Sequence, residues 1–250
     1  MKNLTPKLTL AAALTLALAA LGGLAHAEDA KPEALPDHQM AYNVALTNDY
    51  RFRGISQTRL DPALQGGADY THNPSGFYAG TWLSTIKWTK DAGGDGDVEI
   101  DVYGGKRGEI AKDVSYDVGG LYYFYPSNGL HPSANTFEVY GQVGFGPFYV
   151  KYSHATSNLF GVDNSKNSGY VDAGVNYDIY QGYMLNLHAG HQNVKHHGAL
   201  SYTDYKIGVT KDFGIATVAL AAIKADIESL APNGKNMAKT GLILTVSKTF

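Results

Sequence analysis

The sequence predicts an all-β protein: a single transmembrane, antiparallel, up-and-down β-barrel of about 12 strands, preceded by a signal peptide. Three observations carry this. Twelve segments alternate apolar and polar residues with the two-residue period of a strand. The linkers between them run long, short, long, short throughout. The last segment ends on Phe250, with Val246, Leu244 and Leu242 before it on one face and Thr249, Ser247, Thr245 and Ile243 on the other. In a soluble sheet such an ending would be an exposed apolar edge that invites mispairing. A closed barrel gives it partners on both sides, and in a bilayer only helices and edgeless barrels can span.

Taken in order, residues 1–27 read as a secretory signal, with Lys2 and Lys7 before an apolar run from Leu8 to Leu21 and a small-x-small site at Ala25-His26-Ala27. The run is too short, and wrongly flanked, for a membrane helix. Cleavage after Ala27 removes two lysines and no acid, taking the formal charge from -3 to -5 over the remaining 223 residues. A mildly acidic product lacks the basic patch of a nucleic-acid binder. The chain has 0 Cys, which rules out disulfides, thiolate metal sites and a thiol nucleophile. No later run of apolar residues reaches the length of a membrane helix. With 29 Gly, 18 Tyr and 17% charged residues, the composition is β-rich and aromatic. Residues 28–39, with Pro32 and Pro36 among acids, read as a disordered leader to a barrel over 40–250.

The segments are 41–53, 63–71, 77–86, 98–105, 114–125, 137–145, 148–154, 170–177, 183–190, 202–211, 216–225 and 238–250. At about nine to eleven residues they suit tilted, bilayer-crossing strands. In 98–104, Val98, Ile100 and Val102 interleave with Glu99, Asp101 and Tyr103. In 137–145, Phe137, Val139, Val143 and Phe145 interleave with Glu138, Tyr140 and Gln142. Segment 216–225 is the weakest, since its alanines would also suit a helix. Alternation alone does not say which face is inside. The linkers break the tie: six long ones (54–62, 87–97, 126–136, 155–169, 191–201, 226–237) fall at one end and five short ones at the other. An outer-membrane barrel sorts its loops this way, with tight periplasmic turns and roomy extracellular loops. A soluble sandwich has no reason to. Phe77, Tyr78, Trp82, Tyr122 to Tyr125, Tyr177 and Tyr183 fit interfacial aromatic girdles.

Two stretches go beyond pattern. Asn43-Val44-Ala45-Leu46-Thr47-Asn48-Asp49-Tyr50-Arg51-Phe52-Arg53-Gly54-Ile55-Ser56-Gln57-Thr58, followed by Asp61 to Gly67 and by Gly76 to Trp82, resembles the N-terminal half of the TorF porin family, formerly a bacterial protein family of unknown function (Gcw_chp). Over the remainder the resemblance lies in length, strand rhythm and the terminal Phe, with Lys248 departing from the usual closing strand. It implies an outer-membrane barrel passing small solutes and carries no substrate or pore residues.

On parity, Asp49, Arg51 and Arg53 on one strand, with Gln65 and Asp69 on its neighbour, face the lumen as fixed charges that select permeants by charge and size. The alternative is that the arginines pair with interior acids merely to fill a small barrel. Over the whole wall, Asp49, Asp69, Glu99, Asp101, Asp117, Glu138, Asp172 and Asp204 stand against Arg51, Arg53, Lys151 and Lys206, a modest preference for cations. Two metal readings compete with blander ones. Asp91, Asp95, Asp97 and Glu99 could gather a hard cation or form a solvated acidic loop. His188, His191, His196 and His197 could hold zinc, but show no supporting carboxylate. An enzymatic barrel acting on lipid would need Ser153 or Ser157 beside His154, although Ser153 and His154, as strand neighbours, face opposite ways. The reading is therefore a porin-like channel in the outer membrane of a Gram-negative bacterium, without cofactor or metal. Its partners are outer-membrane lipid and lipopolysaccharide, the barrel assembly machinery and small solutes, not nucleic acid. A lipid esterase or deacylase and a closed structural barrel are the alternatives.

Overall fold

Alternation over short stretches, broken by residues that accept positive φ, builds one continuous meander in the computed structural model, which describes residues 35–250. The signal segment 1–27 and most of the leader lie outside the described residues. The strands in chain order are β1 (His38–Thr47), β2 (Arg51–Phe52), β3 (Ile55–Ser56), β4 (Ala63–His72), β5 (Phe77–Thr85), β6 (Val98–Ala111), β7 (Val114–Phe124), β8 (Thr136–Phe145), β9 (Phe148–Ala155), β10 (Gly169–Tyr180), β11 (Tyr183–Asn193), β12 (Tyr202–Asp212), β13 (Thr217–Ala225) and β14 (Gly241–Thr249). All but β2 and β3 form a closed antiparallel barrel in which each strand pairs with the next, and β1 pairs with both β4 and β14. The seam sets Leu46 opposite Val246 and Val44 opposite Lys248. It is tied off by Phe250, whose N–H donates to Tyr42 O at 2.8 Å.

Turns at one end are tight. Gln181 (φ 44) and Gly182 (φ 78) link β10 to β11 as a two-residue hairpin with both central residues at positive φ. The six connections at the other end are long, and that after β5 holds a single-turn helix, α1 (Trp88–Asp91). The faces are inverted relative to a soluble barrel. Val102, Val139 and Val171 are 53%, 43% and 47% exposed, while their strand neighbours Asp101, Glu138 and Asp172 are buried. A continuous apolar band of this kind is the outer surface of a barrel whose solvent is hydrocarbon. Leu242, Leu244, Val246 and Phe250 belong to it. Lys248 shares their face and reaches past the rim to donate to the Gly214 carbonyl. An amine can therefore stand where the closing pattern asks for an apolar residue.

Three expectations are corrected. The first segment leaves the wall at Thr47, not Arg53. The reason is Asn48, whose side chain donates to Leu242 O (3.1 Å) and accepts from Leu244 N (2.9 Å), completing the ladder with β14 while the main chain turns inward. Tyr78, Trp82, Tyr123 and Tyr125 are buried inside the barrel rather than in girdles, whereas Phe77, Tyr122, Phe124, Tyr177 and Tyr183 do face out. Parity within each strand separates the two sets. Finally β6 continues to Ala111, so the glycines at 104 and 105 lie within a strand. The alanine-rich stretch after Ala216 is the strand β13.

Candidate functional site: the lumen and its inward hairpin

Beyond Asn48 the chain dives into the barrel and makes the small hairpin β2–β3, with Arg51 opposite Ser56 and Phe52 opposite Ile55. Its turn, Arg53 (φ 44) and Gly54 (φ 82), has both residues at positive φ. Gly54 is required by the wall as well, because a Cβ there would come within 2.6 Å of Asp204 Cβ. The hairpin thus reaches from β1 to the wall at β12, three strands round the barrel.

Two arginines hold it. Arg51, expected on the wall, is a clamp at the root: it donates to Asp49 Oδ2 (2.6 Å) and to the carbonyls of Gly54 (3.1 Å), Met237 (2.8 Å) and Lys239 (3.0 Å). Asp49 also accepts from Ser56 Oγ at 2.5 Å. Arg53, at the tip, donates to Glu138 Oε2 on β8 (2.7 Å) and Gln192 Oε1 on β11 (2.5 Å), with its guanidinium 4.2 Å from the Tyr170 ring centroid. Burial works against that charge, but the Glu138 carboxylate outweighs it and holds the Arg53 pKa above its ordinary value. Around the hairpin, aromatics meet edge to face: Tyr50 with Trp82, Phe52 with Tyr123 and Phe160, and Trp88 with Tyr125. Phe160 comes from the long connection after β9, which folds in against the hairpin at the long-loop end. The end of the lumen nearer the long loops is therefore filled by a hairpin with a salt-bridged tip.

The rest of the wall is polar, and its repeating unit is a tyrosine lying across an inward glycine of the adjacent strand. A Cβ at Gly105 would sit 2.6 Å from Tyr78 Oη, at Gly119 2.6 Å from Tyr140 Oη, and at Gly80 2.6 Å from Tyr103. Held flat, these phenols donate to carboxylates: Tyr78 to Asp117 (2.6 Å), Tyr103 to Asp69 (2.5 Å), Tyr149 to Asp172 (3.1 Å), Tyr170 to Asp204 (2.8 Å). His188 bridges two strands, with Nδ1 2.8 Å from Asp172 and Nε2 2.6 Å from Asp204.

All thirteen expected wall residues lie inside the barrel, though Asp49, Arg51 and Arg53 get there through the hairpin. Gln65 meets Ser84 at 3.3 Å. Lys151 lies over the Tyr140 ring at 4.1 Å, and the register places Lys206 inward beside His188. Glu99 accepts from Tyr125 (3.1 Å), and Asp101 is fully buried next to it. Sequence reading missed Arg107, which continues the inward parity of Glu99 and Asp101 beyond Gly105 and donates to Thr71 at 3.1 Å. It also missed the tyrosines as a lumen lining, and His188 as a bridge.

The competing constellations do not assemble. Asp91 pairs with Arg59, and Asp95 and Asp97 with Lys90, while Glu99 points into the lumen. Among the described residues no three histidine or carboxylate side chains are grouped to hold a metal. Ser153 is buried inside, Ser157 Oγ donates to Asn158 O, and His154 is engaged with Tyr152 and Asn167.

Comparison with known proteins agrees with this architecture. The family model described as "Bacterial protein of unknown function (Gcw_chp)" matches residues 31–250. No curated protein matches the sequence. Among solved structures, the KdgM porin superposes with a TM-score of 0.53 at 6% identity, covering 84% of this chain and 97% of its own. The NanC porin gives 0.54 at 11% identity, covering 84% and 98%. At such identities the likeness is one of fold: a closed barrel of the porin kind.

Proposed function

We propose that the chain, which belongs to the Gcw_chp family of bacterial proteins, is an outer-membrane, porin-like channel for passive diffusion of small hydrophilic solutes. The observation that carries this is the inversion of the wall, apolar outward and lined inside by carboxylates, lysines and tyrosine hydroxyls. Such a lining hydrates a path, and its fixed charges sort what enters. The inward hairpin limits permeants to small solutes. The inward acids Asp69, Glu99, Asp101, Asp117, Glu138, Asp172 and Asp204, with Asp49 on the hairpin, outnumber Arg51, Arg53, Arg107, Lys151 and Lys206, so cations are favoured modestly. The TorF identification belongs to the same reading. So do export with cleavage after Ala27, insertion by the barrel assembly machinery, and lipopolysaccharide as an outer-leaflet neighbour.

A second reading, a closed structural barrel, draws support from the aromatic packing around Tyr50, Phe52 and Phe160. Planar-bilayer recording of the wild type and of a variant lacking residues 51–56 separates the two. Discrete conductance steps, larger in the variant, support the channel. Silence from both refutes it, and a reversal potential favouring chloride refutes the cation preference.

A further inference from the structure

Most inward carboxylates of the barrel have a basic or a phenolic partner. Asp49 has Arg51, Glu138 has Arg53, and Asp172 and Asp204 share His188. Asp69 and Asp117 each accept a phenol. Glu99 and Asp101 have no basic partner. They stand two residues apart on the inner face of β6, 1% and 0% exposed. Glu99 accepts from Tyr125 on one oxygen only; its other oxygen and both oxygens of Asp101 are buried without a hydrogen bond. The register sets Trp82 and Tyr123 on either side of Asp101, and the indole nitrogen of Trp82 is likewise buried and unpartnered.

Two desolvated carboxylates on one strand face repel each other, and a single phenol hydrogen bond to Glu99 is all that replaces their lost hydration. Oxygen-rich, doubly negative and shielded from water, the pair has the chemistry of a hard divalent cation's ligands; calcium fits better than magnesium because it tolerates irregular geometry and sheds water readily. We propose that Glu99 and Asp101 bind a calcium ion between the barrel wall and the inward hairpin. This site is distinct from the acidic loop at Asp91, Asp95 and Asp97, whose carboxylates are taken by Arg59 and Lys90. It depends on the barrel wall and not on conduction.

The test uses the full refolded barrel in detergent and terbium as a luminescent stand-in for calcium, excited through Trp82 and the neighbouring tyrosines. The expected result is sensitised emission saturating at a single ion per chain, displaced by calcium and lost in Asp101→Asn and in Glu99→Gln. Calcium should also raise the melting temperature of the wild type above its value in chelator, and leave both variants unmoved. Emission that survives both substitutions overturns the proposal. So does a wild type whose melting temperature ignores calcium, with Asp101→Asn more stable in either condition: the pair would then share a proton instead. The wild-type titration decides even where a variant fails to fold.

Discussion

The hairpin tip offers a direct test of how the lumen is held. In Arg53→Ala, Glu138 loses its ion pair at 2.7 Å, in a place where the two side chains are 7% and 3% exposed, and keeps only a 3.4 Å contact from the Tyr123 hydroxyl. Removing one partner of a buried pair costs about 3–5 kcal/mol, since the other charge is left behind. The lower end applies here, because Glu138 can take up a proton and the clamp at Arg51 is untouched. At about 1.4 kcal/mol per decade, this shifts the balance between unseated and seated hairpin by about two orders of magnitude. Hydrogen exchange reads this directly. The Ser56 amide donates to Met237 O (3.0 Å), a bond that ties the hairpin to the connection before β14 and exists only while the hairpin is seated. Its exchange should accelerate by about a hundredfold while amides of β8 and β11 stay protected, and single-channel conductance should rise. Unchanged exchange at Ser56 would refute the assignment of Arg53 as the latch.

Other expectations follow from the same geometry. Gly190→Ala drives a methyl into the Tyr170 hydroxyl and should cost about 1–3 kcal/mol in detergent unfolding, against no loss for Gly198→Ala, where nothing lies within 4 Å. Val139→Arg places a charge on the outward band, and unfolding from lipid vesicles should show a loss of about 2–4 kcal/mol, a penalty that a water-facing surface would not exact. Asp61 is held below the ordinary carboxylate range by its hydrogen bond from Lys87. A depressed acid stabilises the folded state above its unfolded value of about 3.9 and loses that contribution as pH falls through the folded value. Proteolytic nicking of residues 48–62 should therefore rise only below about pH 4, and Lys87→Ala should abolish the pH dependence.

What could be read from the chain was whatever is local. Parity within a strand assigns Val102 outward and Asp101 inward without knowing any partner, and loop length sorts the two ends. The hairpin was illegible because Asp49, Arg51 and Arg53 continue the alternation of β1 in appearance, while the device that breaks the strand, Asn48, acts on β14 at a separation of 194 residues. His188 hid for a similar reason, its two carboxylates lying 16 residues to either side. Tyr78 and Trp82 looked like girdle residues by type, although they share their strand parity with the buried Ser84 and so face inward, opposite Gly105 and Asp101. Arg107 was lost because the glycines before it resemble a strand end.

Both anchors at the hairpin's root come from the far end of the polypeptide: Asn48 needs Leu242 and Leu244, and Arg51 needs Met237 and Lys239. Those groups lie on β14 or in the connection that leads into it, so the root of the hairpin is complete only where the seam between β1 and β14 is closed: one set of hydrogen bonds serves both the cylinder and what fills it.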